Sequence, residues 1–95
     1  MVRPRHITWT PVALRDLREI FDYIAVDSRA EAKAFIERII RSTEKLARFP
    51  KRGRTIPEIG HSRYRELIVG PYRIFHEIRK KEVFIFRVFH SRRLF

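Results

Sequence analysis

Apolar residues recur at spacings of three and four through the first half of the chain and at a spacing of two through its last third, so the chain divides into a helical and a pleated part. Ala13, Leu14, Leu17, Ile20, Phe21 and Ile24 form one stripe, while Arg15, Asp16, Arg18, Glu19 and Asp22 fall mostly elsewhere. That pattern predicts an amphipathic helix with one buried face. Thr10-Pro11 marks its start: the threonine caps, and the proline at the first helical position lacks only an N–H that would have had no partner. Ahead of it, Ile7-Thr8-Trp9 reads as a short strand. Asp27-Ser28 interrupts the stripe, and Ser28-Arg29-Ala30-Glu31 has the form of a capping box, in which hydroxyl and carboxylate satisfy otherwise orphaned amides. The second helix carries Ala32, Phe35, Ile36, Ile39, Ile40, Leu46 and Ala47 along one side. Phe49-Pro50 stops it, because the residue before proline is pushed out of the helical region. So short a join predicts an antiparallel hairpin of helices.

Residues 51 to 60 hold two glycines, a proline and three basic side chains and read as a loop. Alternation then predicts strands over Tyr64–Val69, Tyr72–Ile78 and residues 83 to 90, separated by Gly70-Pro71 and by Arg79-Lys80-Lys81-Glu82. Joins this short imply an antiparallel meander. In the second of these strands Tyr72, Ile74, His76 and Ile78 share a face opposite Arg73, Phe75 and Glu77. In the third, Phe84, Phe86, Val88 and His90 oppose Val83, Ile85, Arg87 and Phe89. The first strand is too mixed in composition for its faces to be assigned. The helices are expected to cover the face holding Ile74 and Phe86, leaving Arg73 and Arg87 bare on the far side. The order of strand, two-helix hairpin and three-stranded meander is an α+β two-layer fold.

Ninety-five residues make a single domain spanning 1–95. Charge changes the picture more than length does. Residues 48 to 95 hold 13 Lys/Arg against 4 Asp/Glu, so +9 of the formal +11 lies beyond the midpoint. A field of that kind attracts nucleic acid, acidic protein segments or anionic surfaces. There is no cysteine, which excludes a disulfide framework and a cysteine-ligated zinc. The basic N-terminus has no apolar run behind it, and no stretch approaches the roughly 18 apolar residues of a spanning helix. A cytoplasmic protein without membrane association is expected. The four histidines share no metal-ligand spacing, so neither metal nor cofactor is expected.

Several segments, in this order, carry a resemblance over essentially the whole chain. They are Ala13-Leu14-Arg15-Asp16-Leu17 with Ile20-Phe21-Asp22-Tyr23-Ile24-Ala25, then Leu46-Ala47-Arg48-Phe49-Pro50 with Gly53-Arg54, then Arg65-Glu66-Leu67-Ile68-Val69-Gly70-Pro71-Tyr72-Arg73-Ile74-Phe75, and Val88-Phe89-His90-Ser91-Arg92-Arg93. Together they resemble the RelE/ParE superfamily of toxins from type II toxin–antitoxin pairs. The resemblance implies a small sheet packed on the helical hairpin, a cognate antitoxin that neutralises the toxin by binding it, and a toxin–antitoxin hetero-oligomer. It also implies one of two targets: RelE-like members cut ribosome-bound mRNA, whereas ParE-like members inhibit DNA gyrase. The Asp22-Tyr23-Ile24-Ala25 segment with its long second helix, and the ending at Phe89-His90, are closer to the ParE branch.

For the endonuclease alternative, metal-free RNA cleavage requires a base, an acid and positive charge at the phosphorane. Arg73 and Arg93 match family arginines and would hold the phosphate. His90 is the group able to exchange a proton near neutrality, with Glu66 or Glu77 as carboxylate partner. Arg65, Arg87 and Arg92 are further candidates for phosphate or partner binding. RelE-like nucleases often bring a C-terminal tyrosine, but this chain has none after Tyr72. His76 is expected to pack beside Ile74 and Ile78, and Trp9 and the phenylalanines to belong to the core.

Overall fold

The structure, a computed structural model, describes residues 3–92. Strand β1 (His6–Trp9) leads into helices α1 (Pro11–Ala25) and α2 (Arg29–Glu44), a short 3-10 turn (Lys45–Ala47), and strands β2 (Arg54–Thr55), β3 (Tyr64–Val69), β4 (Tyr72–Ile78) and β5 (Glu82–His90). Both helix starts follow from their caps. Thr10 Oγ1 accepts from the Ala13 N–H at 3.2 Å and Ser28 Oγ from the Glu31 N–H at 3.1 Å. The expected box at Ser28 forms by halves, because the Ser28 N–H donates to the Ile24 carbonyl at the end of α1. Helix α2 stops earlier than Phe49-Pro50 predicts. Near its end Thr43, fully buried, turns its hydroxyl back onto the Ile40 carbonyl at 2.8 Å, a bond that competes with the regular ladder, and the tighter 3-10 turn then carries Leu46 into the core. Ile40 falls off the buried stripe and is partly exposed.

The expected meander is the centre of a larger, mixed sheet of order β1-β5-β4-β3-β2. Strand β1 lies parallel to β5, from His6 opposite Glu82 to Trp9 opposite Ile85. Strand β2 arises inside the segment read as loop and pairs Arg54 with Glu66 and Thr55 with Arg65. The hairpin α1–α2 packs on one face. There Ala13, Leu17, Ile20, Ile39 and Leu46 meet Val69, Tyr72, Ile74, Val83, Ile85 and Val88. Each large aliphatic side chain buried in this layer contributes on the order of 1.5–3 kcal/mol.

The alternation expected along β5 fails at one place. Phe75 faces Arg87 and His76 faces Ile85, which leaves Phe86 as an extra residue without an opposite number. Such a bulge reverses the inside–outside phase beyond it. Val83, Ile85 and Val88 therefore all reach the helix layer, while Phe86 and Phe89 join Phe75, Ile56 and Tyr64 on the opposite face. Ile74 and Phe86 do not share a face, contrary to expectation. The far face is also not bare: Ile56, from the segment after β2, is fully buried against Phe75 and Phe89.

Candidate functional site

On this far face Arg73 is the central charge. It is only 8% exposed, and the rings of Phe75 and Phe89 lie 4.9 and 5.6 Å from its guanidinium carbon. All of its donor nitrogens are engaged. Nη1 and Nη2 each donate at 2.8 Å to one oxygen of Glu58, and Nε donates at 2.5 Å to Glu66 Oε1. The other Glu66 oxygen accepts from Arg54 Nε at 2.7 Å. Two arginines and two carboxylates thus form a closed, neutral quartet, with the Glu66 side chain wholly buried and Arg54 reaching it from solvent. The fork from Arg73 holds the Glu58 carboxyl down at about 2, well below the ordinary carboxylate range. The same two carboxylates raise Arg73 further above its already high value.

One position along β4 from Phe75, on the alternate side of the strand, a second buried group fixes the turn that precedes β2. His76 is fully buried, and its Nε2–H donates to the Pro50 carbonyl at 3.1 Å, while Nδ1 has no hydrogen-bond partner among the described residues. Burial pushes its pKa down, so the neutral ring is the resident form. Gly53 allows the approach: a Cβ there would lie 2.3 Å from the Glu66 carbonyl oxygen and 3.1 Å from the His76 ring. Arg65 clips the same segment through Nη1 to the Gly53 carbonyl at 3.1 Å, and its Nε donates to the Ser62 carbonyl of the loop before β3 at 3.1 Å.

His90 sits on the other side of the sheet. It pairs with Tyr72, and the two rings meet edge to face at 5.4 Å; Tyr72 belongs to the helix-side core. His90 Nδ1 accepts from the Arg92 N–H at 3.1 Å, which assigns the proton of the neutral ring to Nε2. A groove of about 580 Å³ opens here between α1, α2 and the end of β5, with Glu19, Tyr23, Phe35, Tyr72 and His90 on its walls.

Of the expected catalytic residues, the two that are described do not converge. Arg73 and His90 are on opposite faces of one sheet, and Arg93 lies outside the described residues. Arg73 was expected on a bare surface but is buried and saturated by carboxylates. Arg87 is partly exposed and donates to Asp16 Oδ2 at 3.0 Å, while the same oxygen accepts from the Val88 N–H at 2.8 Å. Asp16 on α1 in this way caps β5 beyond the last pairing with β1. Arg92 is exposed, and Glu77 pairs with Arg79 at 3.1 Å rather than with a catalytic partner. Sequence reasoning missed Glu58, Arg54 and Asp16. The odd acid in a basic loop was the available signal for Glu58, since residues 48 to 95 hold only three others. No group of histidine and acidic side chains among the described residues could hold a metal ion. No helix among them is long and apolar enough to cross a membrane.

Comparison with known proteins places this architecture. The family described as ParE toxin of type II toxin-antitoxin system, parDE, matches residues 7–95. Toxin RelE2 of Caulobacter vibrioides is 36% identical over 89 residues, which are 93% of this chain and 97% of that protein. Among solved structures, a chain of the chromosomal ParDE system of P. aeruginosa superposes with a TM-score of 0.75 at 22% identity, covering 90% of this chain and 95% of that one. The RelBE2 toxin–antitoxin complex of Mycobacterium tuberculosis gives 0.67 at 22% identity, covering 95% and 94%. At these identities the structures speak for the fold. With nearly its full length matched by the family and by a relative above 30% identity, the chain belongs to the ParE toxin family of type II toxin–antitoxin systems.

Proposed function

We propose that this ParE-family toxin arrests growth by binding and inhibiting DNA gyrase, without a catalytic centre of its own. The observation that carries the reading is the division of the nuclease candidates by the sheet. Arg73 turns its fork to Glu58 and Glu66 on one face, and His90 stacks on Tyr72 on the other. A phosphorane held by Arg73 would have to displace two carboxylates, and His90 could not deliver a proton to it through the strand. A surface that binds protein needs neither arrangement.

A cognate antitoxin is the natural partner, forming a hetero-oligomer with the toxin. The solved relatives are described as a ParDE system and a RelBE2 toxin–antitoxin complex, and a chain with net charge +11 favours a partner that brings acidic residues.

The test has two arms. Purified toxin is titrated into a gyrase supercoiling reaction and, separately, into a translation reaction with ribosome-bound mRNA. Loss of supercoiling with intact mRNA is the expected result. Supercoiling untouched at large molar excess, together with cut mRNA, would overturn the proposal in favour of the RelE-like endonuclease.

A further inference from the structure

The end of the sheet where β1 and β5 begin and β4 finishes gathers distant parts of the chain. The Arg5 N–H donates to the Ala47 carbonyl at 2.8 Å and its Nε to the Arg79 carbonyl at 2.9 Å, while the His6 N–H donates to the Lys81 carbonyl at 2.9 Å. These bonds bind the N-terminal arm to the end of the 3-10 turn and to the β4–β5 connection. Next to the arm, residues 49–52 form a tight turn closed by the Arg52 N–H on the Phe49 carbonyl at 3.0 Å. A groove of about 480 Å³ runs between them, lined by Arg5, Phe49, Pro50, Lys51, Arg52 and Ile78.

Two properties of this groove go together. Phe49 is 61% exposed, and among the described residues no ring or guanidinium stacks on it. Phe84, near the start of β5, is by contrast capped by the Arg79 guanidinium at 4.3 Å. Arg5, Lys51 and Arg52, with Lys80 and Lys81 on the adjoining connection, make no ion pair among the described residues. The nearby carboxylates are committed elsewhere, Glu77 to Arg79 and Glu82 to the Thr8 hydroxyl.

An uncovered aromatic face set among unpaired cations suits a chain that alternates flat bases with phosphates. A duplex hides its base faces, and an acidic peptide would use the cations but not the ring. We propose that this groove is a docking site for single-stranded nucleic acid, with Phe49 stacking a base and Arg5, Lys51 and Arg52 holding the flanking phosphates. The site shares no lining residue with the Arg73 quartet or the His90 groove, and it does not depend on gyrase being the target.

The test is fluorescence anisotropy with a labelled twelve-residue oligothymidylate, across a range of salt concentrations. Phe49→Ala is expected to weaken binding roughly 5- to 150-fold, the range for losing one base stack, while Phe49→Trp keeps it. Replacing Lys51 and Arg52 by alanine lowers the slope of log affinity against log salt by about 0.7 for each phosphate no longer neutralised. Circular dichroism confirms that the variants remain folded, as the exposure of these side chains predicts. Unchanged affinity in Phe49→Ala would overturn the proposal. So would a blunt duplex of equal length binding as tightly, or a hexaglutamate peptide binding with the same dependence on Phe49 while the oligothymidylate does not bind.

Discussion

Arg73→Ala is the substitution that separates a structural arginine from a phosphate-binding one. If Arg73 were a surface ligand for phosphate, its removal would abolish activity and leave the fold untouched. The structure predicts otherwise. Truncation leaves the Glu66 carboxylate wholly buried with only the largely exposed Arg54 beside it, and removing one partner of a buried pair costs about 3–5 kcal/mol. The surviving Arg54 bond puts the expected loss near the lower end, about 3 kcal/mol. The cation–π stacking on Phe75 and Phe89 disappears as well, at about 0.5–2 kcal/mol. A chain of this length has on the order of 5–14 kcal/mol in total, so the variant loses a large fraction of its stability. At roughly 4–8 °C per kcal/mol, its melting temperature falls by well over 10 °C. Urea titration followed by circular dichroism measures the loss, with Arg92→Ala as an exposed control expected within about 0.5 kcal/mol of the parent. Arg73→Ala combined with Glu66→Gln should cost less than the two single losses added together, because the second change removes the stranded charge. An Arg73→Ala variant as stable as the control would refute the account, and the arginine would again be available as a ligand.

Two further outcomes follow from the stretch between the 3-10 turn and β2. His76 is held neutral by burial, so the unfolded chain takes up its proton first: stability is complete above the unfolded value of about 6.5 and declines as pH falls through it. His76→Gln, which keeps a donor for the Pro50 carbonyl, should flatten that decline in melting temperatures recorded from pH 7.5 down to 5, and an unchanged slope would clear His76 of the effect. Gly53→Ala forces a Cβ into the Glu66 carbonyl at 2.3 Å; a loss on the order of 1–3 kcal/mol is expected by urea titration, and a neutral result would mean that the segment yields freely.

What was legible in the sequence was local. Thr10-Pro11 and Ser28 announce their helices because a cap and the amides it serves are three residues apart, and the period-two runs announce β3, β4 and β5. What was not legible depends on one residue or on distance. The Phe86 bulge carries no marker: Phe84, Phe86 and Val88 continue a perfect alternation on paper, yet one unpaired residue sends Phe86 and Val88 to opposite faces. The parallel place of β1 beside β5 joins residues more than 70 apart. The partners of the candidate arginines were hidden for the same reason. Glu58 and Arg73 are 15 positions apart and Asp16 and Arg87 are 71 apart, so neither arginine could be recognised as neutralised before the chain was folded.

That neutralisation relocates the charge by which a partner finds this molecule. All four acids beyond residue 48 are engaged: Glu58 and Glu66 by Arg73, Glu77 by Arg79, and Glu82 by the Thr8 hydroxyl. The arginines central to the sheet are therefore spent internally, and they contribute to stability rather than to the outward field. Much of the excess resides on Arg48, Lys51, Arg52, Arg63, Lys80 and Lys81, which, like Arg65 and Arg92, form no ion pair among the described residues. The Arg63 carbonyl accepts from the Ile78 N–H, which brings this residue too to the end of the sheet where β4 finishes. A potential generated by exposed loops at one end is screened within about 8 Å at physiological salt. It therefore acts on the encounter more than on the bound state. A partner with the acidic residues proposed above would arrive at that end first, and its association rate, not its dissociation rate, would carry the dependence on ionic strength. The helix-side groove, whose walls include Tyr23, Phe35 and Tyr72, offers the apolar surface that would then hold such a partner in place, since burial of aromatic surface is far less sensitive to salt than pairing of exposed charges.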